Sequence, residues 1–179
     1  MEKFKTVSLK NNQQVRICLL VPNKNSNNYM VLAIKDKKQI GYCYFNIINN
    51  NCNIERIAVT NSQYLSTGLG SAMFNMMEQV ALNVGVGYIC GRFIARGYRD
   101  VHQITSNFYK KHGFIPEDDN EFLDREELVK RVEKSKSNAE LPIVVNYGLY
   151  NALMHYNYSE NDIFSSGEKS VTKEPQCDL

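Results

Sequence analysis

One stretch of the sequence, residues 54–73, limits the folds open to this chain more than any other. A strand is predicted at 53–59, because apolar and polar side chains alternate there with a period of two. A helix is predicted after Gly68 and Gly70, and it ends at Gly85, the position of a left-handed C-terminal cap. Its apolar residues at helical spacing are Leu69, Met73, Met76, Val80 and Val84. Strand, glycine loop and helix therefore follow one another directly.

The glycine loop, residues 66–70, has the properties of a phosphate-binding turn. The first amides of a helix have no partner within the helix, and they point outward at the positive end of its dipole. Glycine leaves room for phosphate oxygens and accepts the positive φ that such turns often need. An ordinary tight turn between a strand and a helix has the same pattern, so the loop by itself leaves both interpretations open.

Further strands lie on both sides of this stretch. They are predicted at 14–21, 29–34, 40–48, 88–95 and 114–115. The first three form an antiparallel meander, and the strand at 53–59 follows them. A helix is predicted from Asp100 to Gly113, with Val101, Ile104 and Phe108 on one stripe. Strands that alternate with helices late in the chain indicate that part of the sheet is parallel.

The C-terminal third carries weaker signals. Asp124 and Glu127 form a capping box, which predicts a helix to about residue 134 with Leu128, Val129 and Val132 turned inward. Residues 143–158 begin with β-branched side chains and then show helical spacing, so a strand followed by a short helix is predicted. Residues 159–179 are polar and are expected to be disordered.

A second segment, SNFYKKHGF at 106–114, favours the interpretation of the glycine loop as a phosphate-binding turn. The two segments in this order resemble the GNAT superfamily of N-acetyltransferases. In that family the loop follows a strand ending in an aliphatic residue and valine, as Ala58 and Val59 do here. The family's Phe-Tyr-x-x-x-Gly-Phe pattern is matched at Phe108, Tyr109, Gly113 and Phe114. The resemblance covers about residues 29–115.

The resemblance implies an α/β (α+β) fold with a mixed, mostly antiparallel central sheet flanked by helices. The sheet is expected to be splayed between the fourth and fifth predicted strands, 53–59 and 88–95, with the pantetheine arm of acetyl-CoA in the gap. One GNAT-like domain is expected over 1–158, because a chain of 179 residues buries one ordinary core. Its motif core is 29–115, and 121–158 form a C-terminal extension.

The resemblance also implies which residues bind acetyl-CoA as cosubstrate. They are Ile57, Ala58, Val59, Leu65, Ser66, Thr67, Gly68, Leu69, Gly70, Ser71, His102 and Tyr109. Two of them depart from the family pattern, which has Gln or Arg where this chain has Leu65 and often Asn where it has His102. Main-chain amides, helped by the hydroxyls of Ser66, Thr67 and Ser71, are therefore expected to hold the phosphates. The amide near Val59 is expected to polarise the thioester carbonyl.

Catalytic roles are predicted for two residues. Tyr109 matches the family's general acid, and a phenol with an ordinary pKa near 10 is protonated at neutral pH. The alternative is that Tyr109 only packs beside Phe108. Glu55, in apparent alternation with Ile57, is a candidate base, although a salt bridge to a neighbouring strand explains it equally well. His102 is a second candidate base, although a single histidine in the first turn of a helix is more often structural.

The five cysteines and three histidines show no metal-ligand spacing, so no metal site is predicted. Cys90 lies in the strand expected to flank the cofactor, which raises the option of an acyl-cysteine intermediate. No activating base accompanies it in the sequence, and a buried, inert thiol is favoured. Unpaired cysteines, the absence of a long apolar stretch and an N-terminus without an apolar core predict a cytoplasmic protein.

The expected activity is transfer of an acetyl group from acetyl-CoA to a primary amine. A net charge of +2 nominates neither nucleic acid nor a membrane as partner. Members of the family usually place two helices between their first two strands, and residues 22–28 are too few for them. The acceptor groove is therefore open, or the segment 121–158 supplies its wall. The alternative function is a non-catalytic acyl-CoA-binding module, and the tyrosines of 147–158 leave a homodimer open.

Overall fold

The computed structural model describes residues 4–94, 107–116, 125–132 and 141–145. Within these ranges the chain forms nine strands, a long helix and part of a second helix, α2, described over 107–111. The elements are β1 Lys5–Ser8, β2 Gln14–Val21, β3 Asn28–Lys35, β4 Lys38–Ile48, β5 Asn51–Val59, α1 Leu69–Val84, β6 Tyr88–Ile94, β7 Ile115–Pro116, β8 Arg125–Arg131 and β9 Ile143–Val145. None of the described helices is long and apolar enough to cross a membrane.

The strands form one mixed sheet in the order β1-β2-β3-β4-β5-β6-β8-β7, and β9 adds to β2. Most pairings are antiparallel, as expected, while β5 pairs with β6 and β2 with β9 in parallel. The β5–β6 connection passes through α1, because parallel neighbours need a crossover. The mixed, mostly antiparallel sheet expected from the sequence is thus confirmed.

Two tight hairpins fix the register of the central strands. Asp36 and Lys37 link β3 to β4 with φ of 49° and 63°, and Asn49 and Asn50 link β4 to β5 with φ of 52° and 66°. Two-residue turns with both φ values positive match the right-handed twist of the strands that they join. These turns determine which residues of β3, β4 and β5 face one another.

The sheet is splayed between β5 and β6, the predicted fourth and fifth strands. Their parallel ladder ends where Ile54 faces Gly91, so the rest of β5 has no described strand on that side. On its other side, β5 shifts register against β4, because Ile54 faces Phe45 and Arg56 faces Tyr44. Glu55 is the extra residue of this bulge, and a bulge bends its strand and increases the twist. The bend coincides with the opening of the gap.

Helix α1 covers one face of the sheet. Its buried side chains recur every three or four residues and are Leu69, Met73, Phe74, Met76, Met77, Val80 and Ala81. Burial of such a side chain contributes about 1.5–3 kcal/mol, which is ample to hold a helix of this length on the sheet. The predicted cap Gly85 has φ 81°, and its amide donates to the carbonyls of Ala81 and Leu82. The helix prediction is confirmed.

An aromatic cluster joins α1 to α2. The Phe74 ring lies 6.1 Å from Phe108 and 5.7 Å from Phe114, both edge to face. His112 packs against the same ring at 4.2 Å between centroids. Edge-to-face pairs of this kind stabilise beyond their buried area. The helix that follows the glycine loop is therefore in direct contact with the segment 106–114.

The opposite face of the sheet has a second core. Its members are buried to 2% exposure or less and are Cys18, Leu20, Met30, Leu32 and Ile34. Phe4, Tyr42 and Tyr44 pack against them. The β2–β3 connection at 22–27 contains turns and no helix, as the sequence predicted.

One predicted element is wrong, and one element was missed. The helix predicted from Asp124 to residue 134 is, where the structure describes it, the strand β8, which pairs with β6 along Tyr88–Ile94. The free edge of β6 needs hydrogen-bond partners, and this demand outweighs a capping-box signal. The short strand β1 was not predicted at all. Residues 95–106 and 146–179, with the start of the second helix and the expected tail, lie outside the described residues.

Candidate functional site

The glycine loop leads from a short 3₁₀ turn at Ser62–Tyr64 into α1. Ser66 and Gly68 both have left-handed backbone, with φ of 60° and 95°. Gly68 is the N-cap of α1, yet it has no side chain to cap the helix, and the first turn contains no acidic residue. Ser, Thr, Asn or Asp usually occupies this position and satisfies the exposed amides. This helix therefore begins without that internal partner.

Several amides at this helix start have no described acceptor. The first internal bond of α1 runs from the Ala72 amide to the Gly68 carbonyl, at 2.9 Å. The amides of Gly68, Leu69, Gly70 and Ser71 make no hydrogen bond to any other described backbone group. Unpaired donors and the positive end of the helix dipole together favour an anion. The geometry thus fits the phosphate site that the sequence suggested.

The two glycines of the loop serve different physical purposes. Gly68 needs its left-handed backbone, and a Cβ there would meet only the Lys10 Cγ, at 3.8 Å. Gly70 has ordinary helical backbone, but a Cβ would lie 3.3 Å from the Cε2 of Phe108. The expectation that both glycines clear space for phosphate oxygens is therefore incomplete. Gly70 brings α1 close to α2.

The hydroxyls of the loop are not equivalent either. Thr67 is nearly buried, and its hydroxyl donates to the Tyr64 carbonyl at 2.7 Å. That proton is not available to a phosphate, so the expectation that the Thr67 hydroxyl helps to hold phosphates is wrong. Ser71 lies 3.0 Å from His112 Nε2 and 3.5 Å from Lys111 Nζ, Oγ to nitrogen. Its hydroxyl stands among the free amides of the helix start.

His112 links the loop to the aromatic cluster. Burial lowers its pKa below the ordinary 6.5, and the positive charges of Lys111 and Lys130 act in the same direction, against an opposing effect of Glu78. A largely neutral ring at neutral pH follows. The ring nitrogen and the Ser71 hydroxyl then share one hydrogen bond whose direction depends on the tautomer.

The open edge of β5 presents main-chain groups to the gap. The Thr60 amide donates to the Ile40 carbonyl in β4 at 2.9 Å. Alternate residues of an antiparallel strand direct their amides to the same side, so Ala58 also faces β4. Ile57 and Val59 consequently direct their amides and carbonyls into the gap. The predicted oxyanion donor near Val59 has the required orientation, whereas Ala58 does not offer its main chain to the gap.

Tyr109 lies at the apex of the gap. Its hydroxyl is 3.8 Å from the position of a Cβ on Gly91, the last residue of β6 that pairs with β5. Its ring packs edge to face on Phe108 and Phe114, at 5.5 Å and 5.1 Å. Burial, with a smaller contribution from Cys43, raises the pKa of Tyr109 to about 12. Tyr109 therefore packs beside Phe108, and its protonated hydroxyl is a hydrogen-bond donor at the point where β5 and β6 separate.

Glu55 occupies the bulge where β5 bends away from β6. Its carboxylate is exposed and accepts a hydrogen bond from Asn46 Nδ2 at 2.8 Å, while Asn53 donates to the Asn46 Oδ1 at 2.9 Å. Ile57 packs against the main core instead. The bulge therefore interrupts the alternation that the sequence suggested between Glu55 and Ile57, and the two side chains do not share one regular strand face. Within the described part of the chain, the Glu55 carboxylate has this amide contact and no salt bridge to a neighbouring strand.

Other predicted residues fall outside this arrangement. Leu65 is 57% exposed and offers the loop no polar group. Cys90 in β6 is half-buried, not buried as expected, and it forms no disulfide. Burial raises the pKa of the thiols of Cys18, Cys43 and Cys52, which are buried core residues. His102 lies outside the described residues, and the described residues contain no group of metal ligands.

Three basic residues near the loop were missed as site residues by the sequence reasoning. Lys111 and His112 belong to the recognised segment SNFYKKHGF, so their spacing from Tyr109 was available as a signal. Lys10 has no such signal, because it lies 58 positions before Gly68 in the sequence and meets the loop only through the fold.

Comparison with known proteins agrees with this geometry. The model of the family "Acetyltransferase (GNAT) domain" matches residues 26–116, slightly more than half of the chain. No curated protein matches the chain.

Solved structures of the same fold include three with TM-scores of 0.50 or more. The PaiA N-acetyltransferase from Thermoplasma acidophilum, in complex with coenzyme A, has a TM-score of 0.50 and 19% identity, over 57% of this chain and 60% of that one. A GNAT-family acetyltransferase from Staphylococcus aureus Mu50 has a TM-score of 0.51 and 17% identity, over 63% and 72%. The GNAT domain of S. lividans PAT has a TM-score of 0.57 and 9% identity, over 73% and 97%.

These likenesses show the fold, and the chain spans less than two thirds of the PaiA structure. Together with the family match and the splayed sheet, they identify the chain as a member of the GNAT acetyltransferase family.

Proposed function

We propose that this protein is an N-acetyltransferase that moves an acetyl group from acetyl-CoA to a primary amine. One observation carries the proposal. The uncapped start of α1, with free amides at Gly68–Ser71, opens beside a gap in the sheet that has the Tyr109 hydroxyl at its apex. The gap has an anion site at one end and a proton donor at the other. This arrangement suits a long thioester that carries its phosphates at the end far from the thioester group.

The residues of the gap have separate tasks in this reaction. The amides at the start of α1 bind the pyrophosphate, and the unpaired edge of β5 pairs with the pantetheine amides. The Val59 amide donates to the thioester carbonyl oxygen and stabilises the negative charge that develops there. The edge of β5 is fixed by its ladder to β4, so this donor requires little reorganisation.

Proton transfer completes the reaction. The amine nitrogen bonds to the carbonyl carbon, the carbon–sulfur bond breaks, and Tyr109 gives its proton to the leaving thiolate. The nitrogen loses a proton to Glu55, directly or through water. His102 is the alternative acceptor of that proton. Burial of the Tyr109 phenol keeps it protonated at neutral pH, which the acid role requires.

Two measurements test the proposal. Acetyl-CoA and coenzyme A at millimolar concentration are expected to raise the melting temperature, because a ligand that binds only the folded state stabilises it. Free thiol is then expected to appear when acetyl-CoA is supplied with a panel of small amines and peptides. No thermal shift with either ligand would contradict coenzyme A binding.

A non-catalytic acyl-CoA-binding module is the second candidate. It is favoured by the connection at 22–27, which contains no helix to wall an acceptor site, and by the exposed Leu65. This candidate predicts a thermal shift with acetyl-CoA and no thiol release with any acceptor of the panel. Transfer to a single acceptor would exclude it. Three further expectations stay predictions. They are that 121–158 wall the acceptor site, that the protein forms a homodimer, and that it is cytoplasmic.

A further inference from the structure

Lys10 stands beside the glycine loop although it is remote from it in the sequence. The Lys10 amide donates to the Thr67 carbonyl at 2.9 Å, and its Cγ lies 3.8 Å from the position of a Cβ on Gly68. Three more bonds carry its ammonium group beyond Cγ, within reach of an anion held by the Gly68 and Gly70 amides. The contact places one cation at the rim of the proposed phosphate site.

The turn that carries Lys10 is well held. Leu9 is 5% exposed and belongs to the main core. Its amide donates to the Gln13 carbonyl at 2.8 Å, and the Asn12 amide donates to the Leu9 carbonyl at 2.9 Å. With the bond to Thr67, the backbone on either side of Lys10 is fixed to the core and to the loop. The Lys10 side chain therefore starts from a backbone position that is fixed relative to the loop.

The local charges leave Lys10 available. Among the described residues, no carboxylate forms an ion pair with it, and α1 has no acidic residue in its first turn. A second cation, Lys111, lies at the first turn of α1, with Nζ 3.5 Å from the Ser71 Oγ. Two cations from different elements therefore lie near the start of the helix. The exposed residue just before the loop, Leu65, contributes no charge.

We infer that Lys10 supplies the phosphate-binding cation that Leu65, just before the loop, does not offer, and that it pairs with the pyrophosphate of the cosubstrate. The inference rests on the proposed function. Its physical basis is that a divalent pyrophosphate at an uncapped helix start gains from a nearby cation in addition to main-chain donors. Lys10 acts in binding and has no part in proton transfer.

The test compares two lysine variants by calorimetric titration with coenzyme A. Lys10→Met removes the charge and keeps the apolar stem against Gly68. It is expected to raise the Kd about two- to five-fold, the effect of losing one exposed ion pair. Lys10→Arg is expected to restore wild-type affinity. Lys24→Met, in the exposed connection between β2 and β3, changes the net charge equally and is expected to leave the Kd unchanged.

Titration with 3′-dephospho-coenzyme A identifies the phosphate concerned. This ligand keeps the pyrophosphate, so Lys10→Met is expected to weaken its binding by the same factor. A Lys10→Met effect that disappears with this ligand would assign Lys10 to the 3′-phosphate and overturn the inference. Equal Kd values for the wild type and Lys10→Met would also overturn it, while the proposed function would stand. A wild type that fails to bind coenzyme A would overturn both.

Discussion

The two flanks of the glycine loop differ in how they are built. On the helix flank, Gly70 packs against Phe108 of α2, within an aromatic cluster that includes Phe74 and His112. On the turn flank, Gly68 has left-handed backbone in open space, with only the stem of Lys10 nearby. One flank is limited by packing and the other by backbone conformation. Substitutions on the two flanks should therefore fail for different reasons.

The largest effect is expected from Tyr109→Phe on the helix flank. The ring still packs against Phe108 and Phe114, but the thiolate loses its proton donor. General acid catalysis contributes about 10²–10⁴-fold, so kcat should fall about 100-fold or more while the Kd for coenzyme A stays constant. Thiol release and calorimetric titration measure the two quantities. An unchanged kcat would remove Tyr109 from the acid role and leave packing as its function.

Gly70→Val is expected to produce the next largest effect. The added side chain meets the Phe108 ring, and overpacking of this kind costs about 1–3 kcal/mol in the free energy of unfolding. Coenzyme A binding should also be lost, because α1 moves away from α2. The second change Phe108→Ala makes room, so the double variant should be more stable than the sum of the single effects predicts. Strict additivity in urea unfolding would contradict the packing explanation.

Gly68→Ala tests the turn flank. A Cβ fits the space, but left-handed backbone costs a residue with a side chain about 1–2 kcal/mol in stability. Gly68→Asn should cost less, because Asn tolerates this conformation. Gly68→Val is expected to abolish coenzyme A binding, since a β-branched residue does not tolerate the left-handed backbone that directs these amides outward.

The control for Gly68 is Leu65→Ala, at the exposed position just before the loop. It should change neither stability by more than about 0.5 kcal/mol nor the Kd. Equal losses of coenzyme A affinity in Gly68→Val and Leu65→Ala would refute the account of a main-chain phosphate site.

The smallest effect concerns the pH dependence of stability through His112. Its pKa is lowered in the folded protein, so below the ordinary value of 6.5 the unfolded chain binds more protons than the folded one. The stability contributed by the neutral ring is fully present above the ordinary pKa of 6.5. It is lost as the pH falls from there toward the lower pKa of His112 in the folded protein. His112→Gln should flatten this loss between pH 7 and pH 5, measured by urea unfolding. A slope equal to that of the wild type would contradict the assignment.

Much of the fold was readable from local signals. The helix after the glycine loop, its cap at Gly85 and the strands of the meander follow from periodicity and turn residues, which act over a few positions. The splay between 53–59 and 88–95 followed from the family resemblance and not from any local pattern. The strand β8 was mistaken for a helix, because the need of the β6 edge for partners is not visible within the segment itself.

By itself, the sequence determined that a strand, a glycine loop and a helix follow one another, and that the segment with Tyr109 comes after them in the order typical of the family. The tertiary structure alone decided how each residue is used. It packed Gly70 against Phe108, directed the Thr67 hydroxyl to the carbonyl of Tyr64, and placed Lys10 beside Gly68. The physical reason is that propensity and spacing act along the chain, whereas close packing and charge act between elements that only folding brings together.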